Sequence, residues 1–302
     1  MSAPDPGCTL LARERAVVFP RRPLVMGILN INDDSFSGDG TLDPGVALDR
    51  ACGMVRDGAD ILDIGGESAR TNRGPISEQE EIDRVVPFLE ALPGRLVAER
   101  PADPEQLWPP LVSVNTWRPA VADALLGAGA DLLNDIGGLP DPENARVAAR
   151  HGAALVIMHS IGEPKVPHTH VRYPDVMEAM EHFFEEKLAL AEAAGLAPER
   201  VILDPGIDFA KQREDNLRVY RELARLHRFG RPLLLPVSRK TVIGEVLGLP
   251  VPAERDAGTA ACIVHGSLLG AAIFRVHNVR MASETIRITR AVETLRFTEH
   301  PL

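Results

Sequence analysis

Eight short apolar runs recur along the chain, at residues 24–31, 59–66, 111–116, 130–135, 153–159, 201–206, 232–238 and 272–278. They are near-continuously apolar rather than alternating, the pattern expected of strands covered on both faces. Segments of helical periodicity separate them, at 44–57, 78–92, 119–128, 142–151, 174–195, 214–227, 254–269 and 282–295. The clearest is 174–195, where Val176, Met180, Phe183, Phe184 and Leu188 form one stripe and Glu178, Glu181, Glu185 and Lys187 fall largely off it. Proline at its start and glycine at its end match helix-boundary chemistry. Eight strands alternating with eight helices predict a parallel sheet closed as a (β/α)8 TIM barrel, a single domain over 23–302 behind an N-terminal extension, 1–22. Gly58-Ala59-Asp60 and Gly129-Ala130-Asp131 read as a repeated joint from helix to strand. Two stretches break the compact spacing: 94–110, with four prolines, reads as a surface excursion, and 160–173 as a loop on the rim.

The endings of the later runs are polar or charged: Asn134-Asp135, His159, Asp204, Ser238-Arg239-Lys240 and Arg275-Val276-His277. In a barrel of this kind the carboxyl ends of all strands meet on one face, so chemistry collected at strand ends is chemistry collected in one place.

Composition narrows the ligand. The 302 residues carry a net charge of −10, which opposes nonspecific attraction to nucleic acid or an anionic membrane, although a small anion can still meet a local basic patch. Cys8, Cys52 and Cys262 are odd in number and widely spaced, so neither a disulfide framework nor a structural zinc site is indicated, and a reducing cytoplasm fits. The first residues lack a basic segment followed by an apolar one, and no apolar run approaches the roughly 20 residues of a membrane span. A soluble cytoplasmic protein is the expectation.

Several motifs stand in one order: Met26-Gly27-Ile28-Leu29-Asn30, Asp34-Ser35-Phe36-Ser37, Asp63-Ile64-Gly65-Gly66-Glu67-Ser68 with Arg70, Asp204-Pro205-Gly206-Ile207, Ser238-Arg239-Lys240, Gly258-Thr259-Ala260-Ala261 and Arg275-Val276-His277. Together they resemble the dihydropteroate synthase family over nearly the whole chain. The resemblance implies condensation of 6-hydroxymethyl-7,8-dihydropterin diphosphate with p-aminobenzoate, releasing pyrophosphate. It implies pterin contacts from Asn115, Asn134, Met158, Asp204 and Lys240, and a p-aminobenzoate pocket from Phe36, Ala69, Arg70, Thr71 and Ser238. Asn30, Arg70, Arg275 and His277 would meet the diphosphate, with Mg²⁺ linked to Asn30, and the catalytic group would be Arg70, Asn115, Lys240, Arg275 and His277. A homodimer through helices near the C-terminal end is implied as well.

The residue chemistry agrees. A carboxylate at Asp204 can accept two charge-assisted hydrogen bonds from the amidine-like edge of a pterin, Asn134 offers a donor and an acceptor, and Lys240 offers a cation. Arg275 and His277, two apart on one strand, project to the same side beside Arg70. Each has a structural alternative: a turn cap for Asp204, a strand-end turn for Asn134, a solvated helix start for Lys240, a structural histidine at His277 and plain core for Phe36. Two competing functions are a noncatalytic or altered-specificity pterin-binding paralogue and a methyl-folate-dependent methyltransferase. An anion clamp of Arg70, Arg275 and His277 suits a diphosphate leaving group and has no obvious duty in either.

Four places depart from the family pattern. Ser113-Val114-Asn115-Thr116 stands for Ser-x-Asp-Thr, Asn30-Ile31-Asn32-Asp33-Asp34 for Asn-x-Thr-Pro-Asp, Ser68-Ala69-Arg70-Thr71 for Ser-Thr-Arg-Pro, and Asn278 for Asp. Loss of both prolines should loosen the first two loops and weaken sulfonamide inhibition, because those loops border the arylamine pocket. Loss of the carboxylate at Asn115 should slow the reaction.

Overall fold

A computed structural model describes residues 7–32, 40–67, 74–166, 168 and 170–294. Its frame is an eight-stranded parallel sheet: β3 (Leu24–Asn30), β4 (Ile61–Gly65), β5 (Leu111–Asn115), β6 (Leu132–Asp135), β7 (Ala154–Met158), β8 (Val201–Asp204), β9 (Leu234–Pro236) and β10 (Ile273–Val276). Their spatial order is β8-β7-β6-β5-β4-β3-β10-β9, and a bridge between Leu203 and Leu233 brings the two end strands together. The barrel is thereby nearly closed. Before it, β1 (Thr9–Ala12) and β2 (Arg15–Val18) form an antiparallel hairpin.

Side-chain alternation divides the strands into two layers. One set faces the helices: Val25, Leu29, Leu62, Ile64, Val114, Leu133, Leu155, Ile157, Leu203 and Phe274 are buried in the larger apolar cluster. The other set fills the barrel, where Leu24, Met26, Ile61, Leu111, Leu132, Ala154, Val156, Ile202, Leu234 and Ile273 form a second cluster joined by Leu10, Ala12, Val17 and Phe19 from the hairpin. The hairpin therefore plugs the amino-terminal end of the barrel, a role that a run of four-residue strands does not announce in sequence.

The helices are α1 (Pro44–Arg56), α2 (Glu78–Leu96), α3 (Pro119–Gly127), α4 (Glu143–His151), α5 (Val176–Ala193), α6 (Arg213–Glu222), α7 (Thr241–Leu247), α8 (Asp256–Leu268) and α9 (Val279–Glu293). All eight expected helices are present, with ends displaced by a few residues, and α7 is additional. The expected excursion at 94–110 begins too early, because α2 continues through Pro93 to Leu96. Its apolar stripe extends to Leu92 and Leu96, which are 1% and 7% exposed, and burial outweighs the weak local signal of a proline in the last turn. The 3₁₀ turn Leu223–Phe229 replaces the second half of the helix expected at 214–227, and another, Pro252–Arg255, opens the one expected at 254–269.

Gly58 and Gly129 adopt left-handed backbone (φ 106° and 112°), and the aspartates two residues on are fasteners. Asp60 accepts the Val25 N–H at 2.8 Å and Asp131 the Val112 N–H at 2.8 Å, each pinning the start of a neighbouring strand. Asp60 is fully buried, and Arg22 meets it in a two-pronged bridge with both bonds 2.9 Å long. Among the described residues no helix is long and apolar enough to cross a membrane.

Candidate active site

The alternation that sends Leu24, Ile61, Leu111, Leu132, Ala154, Ile202 and Ile273 into the barrel sends the interior positions nearer the carboxyl ends the same way. Those positions are Asn30, Asp63, Ser113, Asn115, Asn134, Met158, Asp204 and Arg275. Strand register puts several of them side by side. Asn30 pairs with Gly65, Gly65 with Asn115 and Asn115 with Asn134, a row across four strands, while Met158 pairs with Asp204. An apolar floor thus gives way, on most of the strands, to a polar ceiling within two residues of the strand end.

Asp63 is the hub of that ceiling. It is fully buried and accepts Ser113 Oγ at 2.6 Å, Arg275 Nε at 2.7 Å and Asn134 Nδ2 at 3.2 and 3.3 Å. The Asp63 bonds commit Asn134 as a donor within the protein and leave Oδ1 as its remaining polar group. They also hold Arg275 by Nε alone. Sequence reasoning quoted Asp63 within a motif without giving it a role. Its position two residues before the strand end, on the inward set, is the signal that would have found it.

Asp204 takes up the turn-capping alternative and is buried at the top of the barrel. Its Oδ1 caps the turn by accepting the Gly206 N–H at 2.7 Å, and the side chain is 3% exposed at the top of the barrel. Burial pushes its carboxyl up to about 6, against the pull of the Gly206 N–H, Lys240, Arg275 and Lys211. Gly206 has to be glycine: it sits at φ 63°, and a Cβ there would stand 2.1 Å from the His159 carbonyl oxygen.

Lys240 occupies the residue before α7, and its side chain reaches back to the loop after β8. Its Nζ donates to the Ile207 carbonyl at 2.7 Å and lies 4.9 Å from the centre of the Phe209 ring. Burial lowers its pKa. Arg239 turns the other way, with Nε donating to Asp256 at 2.8 Å. Ser238, 7% exposed, shares a 2.8 Å hydrogen bond between its Oγ and His277 Nδ1 and accepts the His277 N–H at 3.1 Å. Met158 is buried beside Asp204, and Asn115 is 9% exposed. Asn30 sits half-buried at the rim. Phe36, Ala69, Arg70 and Thr71 lie outside the described residues.

Asn278 belongs to a different structure. It caps α9 by accepting the Met281 N–H at 3.1 Å, and its Nδ2 donates to Asp256 Oδ2 at 2.9 Å. An aspartate there would face Asp256 with like charge and no donor, which is a physical reason for the amide.

Two features went unread in the sequence. Lys211 is 8% exposed and donates to His159 Nδ1 at 2.7 Å and to the carbonyls of Gly206 and Phe209 at 3.0 and 3.1 Å, stapling the loops after β7 and β8. Burial pushes its pKa down to about 7 and, with the positive charge of Lys211, lowers that of His159 well below the ordinary value. The second is the reach of the loop after β7. Lys165 pairs with Glu67 and also donates to the Gly74 carbonyl at 3.2 Å, while Arg118 pairs with both Glu67 at 2.8 Å and Glu81 at 2.9 Å. Only a fold that brings 165 beside 67 makes that network visible.

Comparison with known proteins follows from this geometry. Residues 26–277 match the family described as pterin binding enzyme. A dihydropteroate synthase of Escherichia coli (strain K12) is 38% identical over 270 residues, spanning 89% of this chain and 91% of that protein. The crystal structure of the Yersinia pestis dihydropteroate synthase with a sulfonamide drug superposes with a TM-score of 0.85 at 38% identity, covering 95% of this chain and 100% of the other. That of the Thermus thermophilus enzyme in complex with 4-aminobenzoate superposes at 0.80 with 37% identity, covering 94% and 99%.

Proposed function

The chain belongs to the dihydropteroate synthases of the pterin-binding enzyme family, and on that premise we propose how its own residues join 6-hydroxymethyl-7,8-dihydropterin diphosphate to p-aminobenzoate. The observation that carries the assignment is the polar ceiling: Asp204, Asn134, Asn115 and Met158 face one space, with Lys240 beside it. A pterin lies in that space with its amidine-like edge against Asp204. The carboxylate is buried and has a raised pKa, so two N–H donors from a ligand relieve a desolvated charge and bind more tightly than they would at the surface. Asn134, held through Nδ2 by Asp63, presents its carbonyl oxygen to the ring, and Lys240 presents its ammonium.

Reaction begins with rupture of the bond between the pterin methylene carbon and the diphosphate oxygen. The electron pair leaves with pyrophosphate, the pterin ring delocalises the resulting cation, and the arylamine nitrogen attacks it, forming the C–N bond and releasing its surplus proton to the departing pyrophosphate or to water. Arg275 and His277 meet the departing anion together with Arg70, stabilising charge that grows as the bond breaks. Asp63 orients Arg275 through Nε, and among the described residues the guanidinium's two other nitrogens make no further hydrogen bond, which suits them to the anion. Ser238, aligned by His277, contributes to the p-aminobenzoate pocket with Phe36, Ala69, Arg70 and Thr71.

Mg²⁺ fits this site as a substrate-borne ion. Among the described residues no group of three or more histidine, cysteine, aspartate or glutamate side chains could hold a metal by itself, whereas Asn30 offers one amide oxygen at the rim. A hard cation that keeps several waters and is shared with a diphosphate needs little more from the protein, and when bound it neutralises part of the leaving charge. The chain is expected to act in the cytoplasm and as a homodimer.

Substitution separates the two halves of the site. Asp204→Asn should raise the dissociation constant for the dihydropterin about 10- to 100-fold, the worth of one charged hydrogen bond. Arg275→Met should lower kcat by at least tenfold while pterin affinity changes little. Calorimetry and steady-state kinetics on both variants check this. Equal pterin affinity in Asp204→Asn and the parent would remove the carboxylate from the slot.

A further inference from the structure

Three non-glycine residues with left-handed backbone stand on the two loops that carry the pterin-facing carboxylate and ammonium: Asp208 (φ 68°), Ala210 (φ 50°) and Arg239 (φ 57°). Residues with a Cβ adopt this conformation rarely, and it persists where surrounding contacts over-determine it. Asp208 has such contacts on both sides. Its N–H donates to Asn216 Oδ1 at 2.8 Å, and Asn216 Nδ2 returns a 3.2 Å bond to Asp208 Oδ1. Its carboxylate then accepts the backbone N–H groups of Thr241 and Val242, the latter at 3.3 Å, which are the first two of α7.

The traffic also runs in reverse. Lys240 Nζ crosses from the start of α7 to the Ile207 carbonyl, adjacent in sequence to Asp208, and rests over Phe209 on its other side. The loop after β8 and the start of α7 are therefore stitched in both directions, and Lys240 sits on the seam. Burial disfavours the Lys240 ammonium. Among charged neighbours Asp208 opposes that effect first and Asp204 second, while Arg275 adds to it.

We propose that Asp208 is a positioning residue that sets Lys240 against Asp204 across the pterin slot. The inference rests on the pterin-slot reading above and adds to it a residue that touches no substrate. Aspartate suits the post for two reasons: with asparagine, it tolerates left-handed backbone better than other residues carrying a Cβ, and its short side chain reaches main-chain N–H groups nearby. The seam also explains why a loop without regular structure can hold Phe209 and Ile207 against Lys240 with no help from the sheet.

Two variants separate this role from general stability. Asp208→Gly relieves the backbone strain yet removes all carboxylate acceptors, and Asp208→Asn keeps an acceptor oxygen in the same backbone conformation. Dihydropterin binding by calorimetry, KM for each substrate and thermal unfolding are measured for both, beside Lys240→Met. The expected result is a five- to tenfold loss of pterin affinity in Asp208→Gly, a similar rise in KM for the pterin diphosphate, KM for p-aminobenzoate within twofold of the parent, and recovery to within about twofold in Asp208→Asn. In Lys240→Met the further substitution Asp208→Gly should change pterin affinity by less than twofold, since Asp208 acts through the ammonium. Undiminished pterin binding in Asp208→Gly, or an equal further loss in the Lys240→Met background, would overturn the inference while leaving the slot itself intact. A parent protein that binds no dihydropterin would instead defeat the slot reading and this inference with it.

Discussion

At the scale of single residues, the account turns on what burial does to the Asp204 carboxyl. The Asp204 carboxyl stands at about 6 because it is desolvated, and the form that accepts pterin N–H groups is the ionised one. Pterin affinity should therefore hold steady above pH 7 and fall about tenfold per pH unit below about pH 6. Titration calorimetry between pH 5 and 8 measures it, and a profile unchanged by Asp204→Asn would exclude Asp204 as the titrating group. Because folding raises this pKa, the same carboxyl contributes stability below its ordinary value that is lost as pH rises through about 6, so ligand-free protein is weakened by Asp204 at neutral pH and ligand restores it. Asn115 is the second test. It stands between Gly65 and Asn134 in the interior row. Asn115→Asp should raise the single-turnover rate about tenfold by rapid quench, and an unchanged or lower rate would mean that the amide is matched to this site. The placement of Asp204, Asn134 and Lys240 was legible in sequence because each lies at or next to the end of a strand or the start of a helix. Asp63 and Lys211 were not, because a hub with three donors and a lysine stapled to an imidazole exist only once strands and loops have been brought together.

At the scale of elements, the strands were the most legible part of the chain and the helix ends the least. Parallel strands buried on both faces carry a nearly unbroken apolar signature, whereas α2 passes a proline to reach Leu96, and α7 is seven residues long, too short to show a period. The hairpin at the barrel floor escaped for a similar reason, its strands having four residues each. Beside it lies the most vulnerable tertiary link. Asp60 is fully buried between Arg22, the Val25 N–H and the Leu107 N–H, and burial raises its pKa against all three. Arg22→Met leaves an uncompensated buried carboxylate and should cost about 3–5 kcal/mol. Urea unfolding checks this, with pterin affinity of the folded fraction unchanged because the bridge lies at the opposite end of the barrel from Asp204. A cost below about 1 kcal/mol would show that water reaches Asp60 and that the floor is looser than its packing implies.

At the scale of the whole molecule, one alternation organises everything. The residues that point into the barrel are apolar at the floor and largely polar at the ceiling, so the fold that excludes water below delivers two buried carboxylates, three amides and the Arg275 guanidinium above, with Lys240 beside them. The net charge of −10 does not prevent a local cationic site for a diphosphate. Order of motifs along the chain carried the family, because a barrel converts sequence order into position around a ring. Direct proof lies in product stoichiometry: purified protein with 6-hydroxymethyl-7,8-dihydropterin diphosphate, p-aminobenzoate and Mg²⁺, followed for both dihydropteroate and pyrophosphate. Equal amounts of both products, abolished by chelation of Mg²⁺ and reduced at least tenfold in Asp204→Asn, are predicted; pterin bound with neither product formed, or both products formed at the parental rate by Asp204→Asn, would contradict the account.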